Sequence, residues 1–288
     1  MDFLANYFGS LNPMSFLSAL PGNIAQGIIW GLMGLGVFLT FKLLNFADLS
    51  VDGSFATGGA VTAVMLINGC PVWATIIVAI LAGLVAGLVT GLLHTLLGIP
   101  DILAGILTQI ALYSINLNIM GKSNLPISYR NYTLVVSASN INMAILVGLG
   151  ICAVVIAAMY WYFGTEQGST IRSTGSNPAM SKAQGININF TKVIALALSN
   201  GLVALSGSLF AQYQGFADIN MGRGAIVIGL AAVIIGEVLG EAIFRKHMNF
   251  IIRMLFVIVG GILYYIAMGI VLWLKMPTDD TKLFTAII

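Results

Sequence analysis

Charged residues are scarce in this sequence. Only 8% of its 288 residues are Asp, Glu, Lys or Arg, whereas 59% are hydrophobic and the mean hydropathy is +1.00. A soluble domain carries roughly 25% charged residues. The shortage of charge therefore excludes an ordinary soluble domain and indicates an integral membrane protein. The 33 glycines agree with this, because small residues let membrane helices approach one another closely.

Residues that usually carry chemistry are also few. The two cysteines, Cys70 and Cys152, lie at or inside apolar runs without metal-like spacing, so we expect packing roles and no disulfide. The two histidines, His94 and His247, are far apart in sequence, and no phosphate-binding loop or serine nucleophile motif is present. We therefore expect no enzyme activity, no metal site and no cofactor bound by this chain. The net charge of +2 is too small to indicate nucleic-acid binding.

Long runs without a charged residue fill most of the chain. Because a spanning helix needs about 20 residues, these runs predict an all-α polytopic membrane protein that forms a single domain over residues 1–288. We place eight spans near residues 22–43, 48–68, 72–98, 101–120, 141–163, 191–213, 224–243 and 251–274. Residues 283–288 begin a further apolar run, which leaves open a ninth, truncated span.

A polar segment, residues 168–185 (GSTIRSTGSNPAMSKAQG), interrupts the apolar sequence and contains basic residues but no acidic ones. Asn177 followed by Pro178 is a helix start signal, because asparagine caps a helix and proline suits its first position. Gly185 is placed to end that helix, and Gly175 to make a turn before it. We predict a short capped helix that another protein grasps, with an ordinary solvated loop as the alternative. The bias of Lys and Arg puts this segment in the cytoplasm and the N-terminus outside.

Two aspartates stand at the start of the second predicted span. Asp48 and Asp52 are four residues apart and would share one helix face, while Gly53 and the later Gly58 and Gly59 would allow a bend. Irregular backbone at membrane depth survives only against protein or a water-filled cavity. Asp48, Asp52 and Gly53 are therefore candidates for a solute pathway, near its cytoplasmic end. The alternative is a helix N-terminus, where carboxylates pair with free amide groups.

A second polar stretch, residues 211–224, lies between two spans on the predicted outer side. It contains glycines and aromatic residues, and it indicates a re-entrant or broken segment beside an aqueous vestibule. Its ring and amide side chains would suit an aromatic amino acid better than a sugar or a metal ion. The pathway candidates here are Tyr213, Gln214, Phe216, Asp218 and Asn220. The alternative is that these residues only seal two subunits together.

Glu237 is an acidic residue inside the seventh predicted span. At about 1.5 Å per residue it lies roughly 20 Å from the start of that helix, still within a ~30 Å hydrocarbon core. An ionisable group at that depth is costly and should have a partner or face a cavity. Glu237 is a further pathway candidate. We favour buried structural polarity over a proton carrier, because no second acid or histidine forms a relay beside it.

Several of these stretches resemble one family. Residues 174–186 (TGSNPAMSKAQGI) resemble the cytoplasmic coupling segment of ABC-transporter permeases of the branched-chain amino-acid and ribose type. Residues 45–55 (NFADLSVDGSF) look like the early broken helix of a subfamily often linked to tryptophan or tyrosine uptake. Residues 212–222 (QYQGFADINMG) and 229–237 (GLAAVIIGE) look like its late signature. Arg223 departs from the pattern, which has an uncharged residue there.

The resemblance implies a set of partners. They are ATP-binding ABC subunits that carry ATP and magnesium, an extracytoplasmic substrate-binding protein, and a second permease copy in a homodimer, all at the plasma (inner) membrane. Residues 168–186 would be the cytoplasmic coupling segment of a permease domain that fills residues 1–288. The residues expected at the ATPase contact are Gly175, Asn177, Pro178, Met180, Ala183 and Gly185.

The function that the resemblance implies is the membrane subunit of a binding-protein-dependent ABC importer for a small amino-acid-like solute. An ion-coupled secondary transporter is the alternative, and it would need an inverted repeat and a midplane ion site. We find no repeat in the sequence, and Glu237 is its only strong acidic candidate. A channel is a second alternative, and it would conduct without an ATPase partner.

Overall fold

A computed structural model of the chain describes residues 13–127, 132, 134–245, 248–274 and 283. Within these residues nearly all regular structure is helical. The helices are α1 (Pro13–Val37), α2 (Val51–Ile67), α3 (Val72–Leu96), α4 (Asp101–Met120), α5 (Ile141–Phe163), α6 (Glu166–Ser176), α7 (Pro178–Ala183), α8 (Ile188–Gln214), α9 (Ala225–Phe244) and α10 (Phe250–Trp273). Two short strands, β1 (Asn124–Pro126) and β2 (Phe216–Asp218), form an antiparallel pair.

The long apolar helices confirm the predicted membrane architecture. In the described residues, 7 helices are long and apolar enough to span a membrane, and α2 is a shorter apolar helix. Together they match the eight predicted spans in order and approximate position. The chain is therefore a multi-pass, all-α membrane protein. The proposed ninth span falls within residues 275–288, which lie outside the described residues apart from Leu283.

Helices α1 and α8 form the centre of the bundle. The most apolar stretches of α1 and α8 are 83% and 72% buried, compared with 28–33% for the other long spans. Helices α2 and α3 pack along α8, and α9 and α10 pack along α1. Glycines permit these approaches: a Cβ atom on Gly87 would overlap the carbonyl oxygen of Leu196, and one on Gly260 would overlap that of Ala232.

The chain between α1 and α2 is irregular, but not where the glycines predicted a bend. Helix α1 continues as a π-helical stretch, Phe38–Leu43, and residues 44–50 are non-helical before α2 begins at Val51. Helix α2 then runs without interruption through Gly53 and Gly58. The bend expected at Gly53 was therefore wrong. Gly53 instead permits close packing, because a Cβ atom there would lie 2.9 Å from Cδ1 of Leu112 in α4.

The stretch after α8 is broken, as predicted. Helix α8 continues to Gln214 and ends at Gly215, which has a left-handed φ of 77°. Strand β2 follows and pairs with β1 through Leu125 and Ala217. The chain then turns back into the bundle and begins α9 after Gly224, whose φ is 86°. This return places the residues before α9 beside the first turn of α2.

Candidate functional site

The short helix α7 has the boundaries that the sequence predicted. The side-chain oxygen of Asn177 accepts a hydrogen bond from the backbone N–H of Met180 at 3.0 Å. Pro178 is the first helical residue, and Gly185 follows the helix with a left-handed φ of 82°. These features confirm the expected start and end of the helix.

The turn predicted at Gly175 was wrong. The residues before α7 form a second helix, α6, and Gly175 lies in its last turn. The N-terminal cap of α6 is Thr165, whose hydroxyl accepts from the N–H of Gly168 at 3.4 Å. Threonine followed by Glu166 is a recognisable helix start signal, so the sequence contained this helix.

The exposed side of α7 is a candidate docking surface. Met180 is 58% exposed, and Pro178 and Ala183 are also exposed, whereas Ser181 is buried on the opposite side. Behind α7, Ile171 and Thr174 of α6 are buried against the bundle. The segment is therefore anchored on one side and offers an apolar surface on the other.

The coupling segment touches the irregular end of α1. A Cβ atom on Gly175 would overlap the backbone carbonyl oxygen of Leu43. Close by, the Lys42 ammonium pairs with Glu237 at 2.8 Å, and Arg253 pairs with the other carboxylate oxygen at 3.3 Å. Glu237 thus has two basic partners, as expected for an acidic residue inside a span. Its ion pairs join α1, α9 and α10.

Asp48 and Asp52 do not share a helix face, contrary to prediction. Asp48 precedes α2 and is buried, and its carboxylate accepts hydrogen bonds from Asn200 at 2.8 Å and from the N–H of Ser50 at 2.9 Å. Asn200 lies near the middle of α8, so this network is deep in the bundle and not near either end. A pathway role for Asp48 stays a prediction.

Asp52 caps a helix, but not its own. Its two carboxylate oxygens accept the backbone N–H groups of Gly224 at 2.8 Å and Ile226 at 2.9 Å. These are among the free amide groups at the start of α9, where a carboxylate is favourable. Asp52 therefore fastens the chain before α9 to the start of α2.

A cleft of about 320 Å³ lies beside this contact. Helix α2 contributes Asp52 and Gly53, and the chain before α9 contributes Asn220 and Arg223. The cleft therefore brings together three of the predicted pathway residues, namely Asp52, Gly53 and Asn220.

The other pathway candidates lie elsewhere. Tyr213 is only 5% exposed, and its hydroxyl donates to the carbonyl oxygen of Gly22 at 3.4 Å. Phe216 and Asp218 belong to β2, and Gln214 ends α8. Glu237 is held by its ion pairs. None of these residues lines the cleft, so the single outer segment that the sequence predicted is divided between two places.

The third wall of the cleft was missed by sequence reasoning. It consists of Gln109, Tyr113 and Asn116 of α4, with Ser114 beside them. The first three are spaced i, i+4, i+7 and lie on one helix face. Polar residues at that spacing in an apolar span were a usable signal. The described residues contain no group of three or more His, Cys, Asp or Glu side chains that could hold a metal ion.

Comparisons with known proteins agree with this architecture. Residues 22–288 match the family model of the permease component of branched-chain amino acid transport systems. A tyrosine transport system permease protein from Clostridioides difficile is 42% identical over 94% of this chain and 89% of its own. A D-allose transport system permease protein from Escherichia coli is 24% identical over 89% of this chain and 77% of its own.

A solved structure shares the fold. PsaBC from Streptococcus pneumoniae, determined in complex with a Fab, aligns with a TM-score of 0.54 and 16% identity, over 99% of this chain and 92% of that one. The family match covers nearly the whole chain, including the coupling segment and all three walls of the cleft. The chain therefore belongs to the family of permease components of branched-chain amino acid transport systems, which are ABC-type transport systems.

Proposed function

We propose that this chain is the membrane-spanning subunit of a binding-protein-dependent ABC importer in the plasma membrane. Its solute would be tyrosine or a similar aromatic amino acid. The observation that carries the proposal is α7, a capped helix whose exposed side presents Met180 while Ser181 anchors the other side. A helix fixed in this way can transmit a force from a partner that grips it.

Two ATP-binding subunits would supply that force. ATP and magnesium would bind to those subunits and not to this chain. On ATP binding the two subunits would close, draw the α7 helices of two permease copies together and change the packing of the spans. The pathway would then open alternately to each side of the membrane.

An aromatic amino acid is supported by two observations. The relative that is 42% identical is named a tyrosine transport permease. The cleft also combines an aromatic ring, Tyr113, with amide and guanidinium groups, which suits a solute that has both a ring and charged ends. An extracytoplasmic binding protein would select the solute, so the permease itself need not hold it tightly.

The test is reconstitution in proteoliposomes. The chain is purified with its ATP-binding subunit, and uptake of labelled L-tyrosine is measured with and without the binding protein and internal ATP. We expect uptake only when both are present. Uptake that follows an ion gradient without the ATP-binding subunit would support a secondary transporter, and passive equilibration would support a channel. Either result would overturn the proposal.

A further inference from the structure

Asn116 is an unusual residue in the cleft wall. Its side chain is fully buried, and neither its amide nitrogen nor its oxygen makes a hydrogen bond within the described part of the chain. Buried amides are nearly always paired, because an unpaired one loses its bonds to water without replacement. Asn116 belongs to the wall of the cleft, so a small shift of the side chains that cover it would offer its donor and its acceptor to a ligand there.

Arg223 lies in the same cleft and is exposed. The ion pairs found among the described residues both belong to Glu237, so Arg223 has none there. The acidic residue that lines the cleft, Asp52, already accepts two backbone N–H groups from the start of α9. The N–H donors of the Arg223 guanidinium are therefore available to bind an anionic group of a ligand in the cleft.

Arg223 lies just before α9, a helix that is long and apolar enough to span a membrane. Its neighbour Gly224 is bonded to Asp52, and Ser50, two residues before Asp52, lies 3.2 Å from Asn200 at the middle of α8. The chain at Arg223 is thus linked, through Asp52 and the start of α2, to the polar side chain of Asn200 in α8. A charged side chain among membrane-spanning helices is stable only beside water or a compensating charge. The polar face of α4 in the same cleft, formed by Gln109, Tyr113 and Asn116, also needs water or polar partners.

We propose that this cleft is a water-filled site on the translocation pathway that receives the carboxylate group of the transported amino acid. The inference rests on the proposed function. The Arg223 guanidinium binds the carboxylate through two parallel N–H donors, a geometry that lysine does not provide. Asn116 accepts a hydrogen bond from the solute ammonium group. Tyr113, which is 48% exposed, lies alongside its ring.

The experiment uses a cysteine reporter in the complete complex with the ATP-binding subunit. Ser114→Cys is made in a Cys70→Ser background, and its rates of modification by an anionic and a cationic methanethiosulfonate are compared. We expect the anionic reagent to react about threefold faster or more, because a nearby unit charge attracts it. Arg223→Gln should remove that preference. The control Val154→Cys, which is 69% exposed on the apolar helix α5, should react with neither reagent, because charged reagents do not enter an apolar surface that lipid or a second permease copy covers.

Protection then tests the ligand chemistry. L-tyrosine should slow modification of Ser114→Cys, whereas tyramine, which lacks the carboxylate, should not. Asn116→Leu should weaken protection by L-tyrosine while keeping the preference for the anionic reagent. An unreactive Ser114→Cys, equal protection by both compounds, or an unchanged preference in Arg223→Gln would each overturn the site.

Failure of the carboxylate site and failure of the proposed importer function can be told apart by measuring both in one preparation. Uptake of L-tyrosine by the wild-type complex is measured in the same preparation. ATP-driven uptake without protection would refute the site alone. Protection without ATP-driven uptake would refute the importer and leave the site in place.

Discussion

Gly175 lies against the backbone carbonyl oxygen of Leu43, so closely that a Cβ atom at this position would overlap it. The contact joins the last turn of α6 to the π-helical stretch that ends α1. Leu43 follows Lys42, whose ion pair with Glu237 reaches α9. A movement of the coupling segment would therefore push directly on the irregular end of α1 and would disturb the ion pair between Lys42 and Glu237.

Gly175→Ala should destabilise the protein by about 1–3 kcal/mol, because the added methyl group meets backbone that cannot rotate away. The measurement is the thermal unfolding midpoint of the purified complex, together with ATP-driven uptake. Gly150→Ala in α5 is the matched control, since apart from its chain neighbours and its own helix backbone no atom lies within 4 Å of its Cβ position. Equal unfolding midpoints for the two variants would contradict the tight contact.

Met180→Asp and Ala183→Asp should uncouple ATP hydrolysis from transport. A carboxylate buried without a partner in an ATPase groove costs more than ~1.4 kcal/mol, so uptake should fall by about tenfold or more. Membrane insertion should be unchanged, because both residues are exposed in the permease itself. Met180→Leu keeps the apolar surface and should stay coupled. Normal solute-stimulated ATPase activity and uptake in both aspartate variants would show that α7 does not dock there.

Glu237→Gln should lower stability by about 1 kcal/mol, a modest loss because Lys42 is half exposed and water screens the pair. Transport should continue, since we assign Glu237 a structural role and not proton transfer. Glu241→Gln, on the exposed side of the same helix, is the control and should unfold like the wild type. Complete loss of uptake in a folded Glu237→Gln complex would argue instead for a role in the pathway.

The sequence predicted what local signals determine. Apolar runs located the spans, and Asn177, Pro178 and Gly185 located α7, because a helix end depends on its nearest residues. Contacts between distant residues were not accessible in this way. Asp52 was expected to act near its own helix start, but it caps α9, which begins more than a hundred residues later. The same holds for Asp48 and Asn200, whose pairing depends on how α8 packs.

Glycine was the most ambiguous signal. The sequence alone cannot distinguish a glycine that bends a helix from one that lets a neighbour approach. Gly53 and Gly58 proved to be of the second kind, and the true interruption lies before them in residues 44–50, which contain no glycine. Tyr213 shows the converse problem: its ring and hydroxyl suit a pathway or a core equally well, and the fold buries it.

Gly53→Leu should impair transport more than Asp48→Asn does. The leucine side chain would push α4 away, because even a Cβ atom would lie 3.1 Å from the Cα of Gln109. In Asp48→Asn the carboxamide keeps its shape, and Asn200 can rotate its amide to present an oxygen to the new donor. Uptake rates at saturating binding protein test the order. A reversed order would mean that the charge of Asp48 matters more than the spacing of α2 and α4.

Asp52→Ala should both loosen the start of α9 and displace Arg223, because the carboxylate is hydrogen-bonded to the backbone of Gly224 and Ile226. Losing the cap should cost about 1–2 kcal/mol. Asp52→Asn retains one acceptor oxygen, so its loss of stability should be smaller. Hydrogen exchange of the first amides of α9 distinguishes a positioning role from a general loss of stability. If Asp52 acts by positioning, exchange should rise at residues 224–226 in Asp52→Ala, less in Asp52→Asn, and little in α10. Uniform exchange across both helices would mean that Asp52 contributes only to overall stability and does not position Arg223.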